Sequence, residues 1–227
     1  MSAPLLALLH LCDSLFPVGG FAHSEGLESA VSSRLVRGAD DLRHWLDVSL
    51  EEAIGRCDGP AVAIAWSAFH EEQWDPLIEL DEELMAIRPS AAARMASRSM
   101  GRRLLTTWHT LHPDRRLQQA LALVSLGTLA PALPVAFAGA CACARIEQRQ
   151  AVEGFAYTRL AATISSAMRL IAIGQHEAHL LLSRVLARAP ATVDAMMLRN
   201  AEPESFMPAL DIAQMTHQYV HSRLFRS

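Results

Sequence analysis

Apolar residues in this chain recur three and four positions apart almost everywhere, and no run alternates with the β-branched enrichment of a strand. That spacing is the strongest limit on the fold, because residues three and four apart share a helix face whereas a strand needs a period of two. Leu42, Trp45, Leu46, Ser49, Leu50, Ala53 and Ile54 form one such series, with Asp40 placed as its N-cap. Asp75-Pro76 opens another, turning Leu77, Leu80, Leu84 and Ile87 inward. Further helices are predicted over 90–110, 115–126, 134–146, 148–172, 175–188 and 208–222. Hydrophobic residues make up 51% of the 227 and charged ones 19%, and no Gly/Ser/Pro linker divides them. The expectation is an all-α fold, one domain over residues 1–227 with roughly nine or ten packed helices.

Charge narrows the function classes. A net charge of -4 gives no electrostatic case for nucleic acid or acidic membranes. All 20 basic residues are Arg. A chain without Lys lacks the P-loop lysine, the kinase strand lysine and any Schiff-base lysine, so it is not the chain that turns over a nucleotide. Glu71, Glu72, Asp75, Glu79, Asp81, Glu82 and Glu83 read as a solvated face, with an acidic docking patch as the alternative, and Arg94, Arg98 and Arg102 as a basic stripe beside it.

Residues 120–144 carry no charge, but Pro131 and Pro134 interrupt them, so two buried helices are expected and not a membrane span. The N-terminus has no positive region ahead of its short apolar run, and four Cys are too few for a disulfide scaffold. Both features fit a cytoplasmic protein.

The stretch FAHSEGLE, residues 21 to 28, contains Ala22-His23-Ser24-Glu25-Gly26, one small residue away from the nucleophile elbow of serine hydrolases. That elbow needs a buried strand before its Ser, and Pro17, Gly19 and Gly20 stand there instead. Ser24 is therefore read as a helix cap that Asp could replace, with Leu27, Ala30, Val31 and Leu35 as the buried stripe after it; a serine hydrolase is a distant alternative. Cys141 and Cys143 would point apart on a helix, and His176-Glu-Ala-His179 lacks zincin spacing. His217 and His221 sit at i, i+4 and could hold a metal with a ligand from another chain.

Taken together, DSLFPVGGFAHSEGLESAV, MASRSMGRRLL, MRLIAIGQHEAHLLL and the terminal MTHQYVHSRLFRS resemble the urease accessory proteins of the UreF family over almost the full length. The chain departs from the family pattern at Phe21-Ala22-His23-Ser24, where a Tyr is usual, at Ala172 and Ile173, and at His221. No role resting on the loop Tyr hydroxyl carries over.

The resemblance implies an all-α, homodimeric, non-enzymatic protein with no cofactor of its own. It implies a chain that bridges the GTPase UreG to the accessory protein UreD (UreH) in the assembly delivering nickel to apo-urease. The matching positions are Pro17, Gly19, Phe21, His23, Ser24, Gly26, Leu27 and Glu28 in the loop, Gly174 and Gln175 in the turn, and His217, Arg223, Leu224, Phe225 and Arg226 in the tail. They are the expected partner-binding residues. An alternative within the resemblance is a regulator of UreG that inserts Arg223 or Arg226 into the GTPase site.

Overall fold

The computed structural model describes residues 4–199 and 202–226, and no strand occurs among them. The chain runs through α1 (Pro4–Cys12), a 3-10 turn (Gly20–Ala22), α2 (Leu27–Ser32) and α3 (Ala39–Val48). α3 continues without a break through a π-helical stretch (Ser49–Asp58) into α4 (Gly59–Glu71), making one rod. Then follow α5 (Trp74–Ala86), α6 (Ala91–Leu111), α7 (Arg115–Ser125), α8 (Leu133–Cys143) and α9 (Gln148–Leu170). α10 (Gln175–Leu186), α11 (Ala189–Arg199), α12 (Pro208–Thr216) and a last 3-10 turn (His217–Tyr219) complete the order. The all-α expectation holds.

The uncharged stretch is the middle of the molecule. α7 ends at Ser125, the chain turns, and α8 runs buried from Pro134 to Ala142 between α4, α6 and α9. A helix apolar on every side has to be enclosed, and small residues let its neighbours come close. A Cβ on Gly101 of α6 would lie 2.2 Å from the Pro131 carbonyl oxygen, and one on Gly139 of α8 would lie 2.5 Å from the Phe69 ring. No helix among the described residues is long and apolar enough to cross a membrane.

Two apolar clusters result. The first joins α1, α4, α5, α6, α7 and α8 around Phe69, Leu105 and Trp108. The second joins α2, α3, α10 and α12 around Leu27, Leu42, Leu46 and Leu160. α9 belongs to both, giving Val152 and Phe155 to the first and Leu160 and Ile164 to the second.

Several local expectations are corrected. The cap position of α3 is Gly38, not Asp40; Asp41 accepts the Arg37 N–H at 2.9 Å instead. α5 starts at Trp74, placing Asp75 and Pro76 inside its first turn. Asp81 does not belong to the solvated face. It is 2% exposed and accepts the Ala132 N–H at 2.7 Å, so it caps the start of α8, and burial pushes its carboxyl up to about 6. Among the described residues no ion pair joins Arg94, Arg98 or Arg102 to the acidic positions of α5; Arg94 donates to the Arg88 and Pro89 carbonyls. α1, α4 and α11 were not read from the sequence, and 208–222 ends its α-helix at Thr216. Cys141 is a buried thiol in an apolar setting, pushed well above its ordinary range, whereas Cys143 is half-buried beside Asp114 and Arg116 and is pushed up to about 12, chiefly by burial.

Candidate functional site

The loop after α1 is pinned at one point and open elsewhere. Phe16 is buried edge-on to His10 at 5.2 Å and tilted against Trp108 at 5.9 Å, while Pro17 beyond it is exposed. Gly19 takes φ +86 with the Arg103 side chain directly beside it, a conformation and a space that suit only Gly. Phe21 follows, 56% exposed.

The next turn starts α2. Glu25 has φ +55 and Gly26 φ +89, two successive left-handed residues that reverse the chain. Gly26 occupies the cap position, so Ser24 is not the N-cap. Its hydroxyl nevertheless accepts the Glu28 N–H at 3.3 Å, four residues on where a cap reaches two or three, and Ser24 is buried. α2 stops at Ser32, which leaves Leu27 and Ala30 buried and Leu35 exposed. Arg159 of α9 forms an ion pair with Glu25, and burial lowers its guanidinium to about 10.

Onto this loop the last residues of the chain return. Glu28 accepts from His217 Nε2 at 2.7 Å, from the Leu224 N–H at 2.5 Å and from the Phe225 N–H at 3.2 Å. Arg226 N–H donates to the Ala22 carbonyl at 2.7 Å. Ser29 and Thr216 share a hydroxyl hydrogen bond at 2.8 Å, and α12 packs on α2 at Gly26. Arg169, in the last turn of α9, lies over the Phe225 ring at 4.2 Å and the Phe21 ring at 5.6 Å, and donates to the Phe21 carbonyl at 3.3 Å.

Thus most of the predicted positions meet. Phe21, His23, Ser24, Gly26, Leu27, Glu28, His217, Leu224, Phe225 and Arg226 form one cluster, with Gly19 held at its edge through Arg103. Gly174 and Gln175 stand apart from the Glu28 hydrogen bonds: they start α10, exposed, five residues beyond Arg169. The tail is already seated in its own domain. Phe225 is 4% exposed, packed against its own chain, whereas Leu224 is 60% exposed. His217 and His221 do not pair on a helix face, because the helix ends between them and His217 is committed to Glu28. Among the described residues no group of three or more His, Cys, Asp or Glu could hold a metal ion.

The outer face of the cluster is apolar with a basic rim. Phe21 and Leu224 are exposed on it, and Ile212 and Met215 of α12 and Tyr219 of the last 3-10 turn are exposed as well. Arg103, Arg169, Arg223 and Arg226 have no ion-pair partner among the described residues. His23 feels this field: burial first, then Arg159, Arg226 and Arg103, lower its pKa. Behind the face, Glu25, Asp58, Arg88, Arg159 and Gln214 line two adjoining cavities, with Asp58 and Arg88 ion-paired.

Arg159, Arg169 and Arg103 were missed in the sequence. Arg159 carried a usable signal: it stands four residues after Phe155, on the apolar face of α9, where a charge needs a partner.

Fold and site together define an all-helical protein whose two chain ends close into one exposed apolar and basic surface. Comparisons with known proteins give that class its family. A family model described as UreF matches residues 36–186. The chain is 34% identical over 227 residues to the urease accessory protein UreF of Methylibium petroleiphilum, covering 100% of this chain and 95% of the relative. It is 34% identical to that of an Azoarcus species, covering 99% and 96%. With the protein of the same name from Nitrosococcus oceani it shares 31% identity, covering 98% and 99%. The chain belongs to the UreF family of urease accessory proteins.

Proposed function

We propose that this chain is a non-enzymatic bridge in the cytoplasm, joining the GTPase UreG to the accessory protein UreD (UreH) in the complex that delivers nickel to apo-urease. The observation that carries this is the closure of both chain ends into one surface of exposed Phe21 and Leu224 rimmed by Arg103, Arg169, Arg223 and Arg226. Aromatic residues and Arg are the side chains enriched at protein interfaces. Homodimer formation belongs to the same proposal, as does nickel as cargo of the assembly and not as a resident ion. The test is co-purification with UreG and UreD followed by mass measurement of the complex. A ternary mass lost in Phe21→Asp with Leu224→Asp supports the bridge; an unchanged ternary mass in that double variant sinks it.

A second reading has its own observation. Arg223 and Arg226 are exposed at this surface and, among the described residues, form no ion pair with a carboxylate, as an inserted Arg would have to be. An arginine finger is worth about 10³–10⁵ in rate. Single-turnover GTP hydrolysis by UreG with this protein, and with its Arg223→Ala and Arg226→Ala forms, decides between regulator and bridge.

A further inference from the structure

We propose that Glu28 is the positioning residue of this surface, holding the C-terminal segment in the loop as a detachable clasp. The consequence for partner binding rests on the docking reading above; the clasp itself does not.

A carboxylate 4% exposed is costly unless donors replace its water. Among the described residues, three groups donate to Glu28, and they come from one segment, His217, Leu224 and Phe225, 189 to 197 positions away. Two of them are main-chain amides, and the next amide, of Arg226, donates to the Ala22 carbonyl. Three successive N–H groups of the tail are therefore taken up by residues 22 and 28. Successive amides that converge on one carboxylate recognise it as a backbone nest recognises an anion. Phe225 supplies the anchor, and Arg169 closes over its ring from the other side while donating to Phe21.

The arrangement has two self-consistent states. Closed, the carboxylate is dry and fully partnered. Open, both Glu28 and the tail amides return to water, so neither state leaves a charge buried alone. Chain ends open locally without unfolding the core. What holds this end shut is charge-assisted hydrogen bonding to a single side chain, the strong kind. Ser24, through its bond to the Glu28 N–H, and Gly26, by reversing the chain, fix where that side chain starts.

Hydrogen exchange on the full-length chain tests this. Glu28→Gln keeps the shape but presents an NH₂ group to one of the donors. The expected result is exchange at least tenfold faster at Leu224, Phe225 and Arg226, with the amides of α8 and α9 unchanged. Glu28→Asp keeps the charge but shortens the reach, and gives the same pattern should the Gln form not fold. Unchanged tail protection in a folded variant overturns the clasp, and so does equal acceleration across α8, α9 and the tail. Fast tail exchange with loss of UreG and UreD co-purification supports clasp and docking surface together. Fast tail exchange with intact co-purification upholds the clasp and removes the docking reading.

Discussion

At the scale of single residues, two buried polar groups make opposite predictions from those an exposed helix end would make. Burial raises the Asp81 carboxyl to about 6, above the value in an unfolded chain. The folded state therefore binds this proton more tightly, and the contribution is full below about pH 4 and lost as pH rises through 6. Asp81→Asn removes that titration while keeping an oxygen for the Ala132 N–H. The stability difference between wild type and variant is expected to change by up to about 3 kcal/mol between pH 4 and pH 7, in favour of the variant. Urea unfolding at the two pH values checks it; parallel stability curves would refute it. Ser24→Ala is expected to cost about 0.5–2 kcal/mol, the worth of a helix-end hydrogen bond. Ser24→Asp is expected to cost more, on the order of 3 kcal/mol, because it buries a second carboxylate beside Glu28. The reverse ranking by thermal melting would mean that Ser24 is a solvated cap after all.

Elements were legible in the sequence where one face was apolar and the other was not. α6 and α7 follow their predicted spans within a few residues because apolar and polar residues segregate to opposite faces of each. α4, GPAVAIAWSAFHE, is small and apolar nearly all round, so periodicity had no contrast to report. α5 held a signal that was overlooked: Asp81 stands four residues after Leu77 and three before Leu84, on the inward face. The joined chain ends were legible as motifs but not as a contact. Nothing in a one-dimensional pattern says that residue 28 meets residue 225, since that pairing follows from how α9 and α12 pack. Gly101 lies within MASRSMGRRLL, one of the stretches that carry the resemblance, and the structure gives it a packing reason. α6 crosses the turn before α8 so closely that a Cβ would enter the Pro131 carbonyl. Backbone cannot yield as a side-chain tip can, so Gly101→Ala is expected to cost about 1–3 kcal/mol or more. Gly20→Ala, whose Cβ would meet nothing within 4 Å, serves as the silent control. Equal melting temperatures for the two variants would contradict the close approach.

Across the whole molecule, the question is whether two apolar clusters make one folding unit or two. Three continuous elements cross between them, among them α11, with Ala189 in the second cluster and Val193 and Met196 in the first. α9 lends successive turns to each cluster, and the rod from α3 through the π-helical stretch to α4 does the same, with Leu46 and Leu50 in one and Val62 and Phe69 in the other. The Asp58–Arg88 and Arg159–Glu25 ion pairs lie along the seam. Losing either cluster would expose those charges and strand half of α9, so partial unfolding removes little of the cost and most of the benefit. A single cooperative transition is therefore expected. The chain carries its own reporters: Trp66, Trp74 and Trp108 belong to the first cluster and Trp45 packs against the second. Fluorescence of a form retaining only Trp45, fluorescence of the Trp45→Phe form and far-ultraviolet circular dichroism should share one midpoint. Leu105→Ala and Leu160→Ala, one in each cluster, are each expected to cost about 2–5 kcal/mol. Each should lower that shared midpoint, by roughly 2–4 °C per kcal/mol for a chain of this size. If Leu160→Ala moves only the Trp45 signal, the clusters unfold separately and α9 is a hinge, not a shared beam.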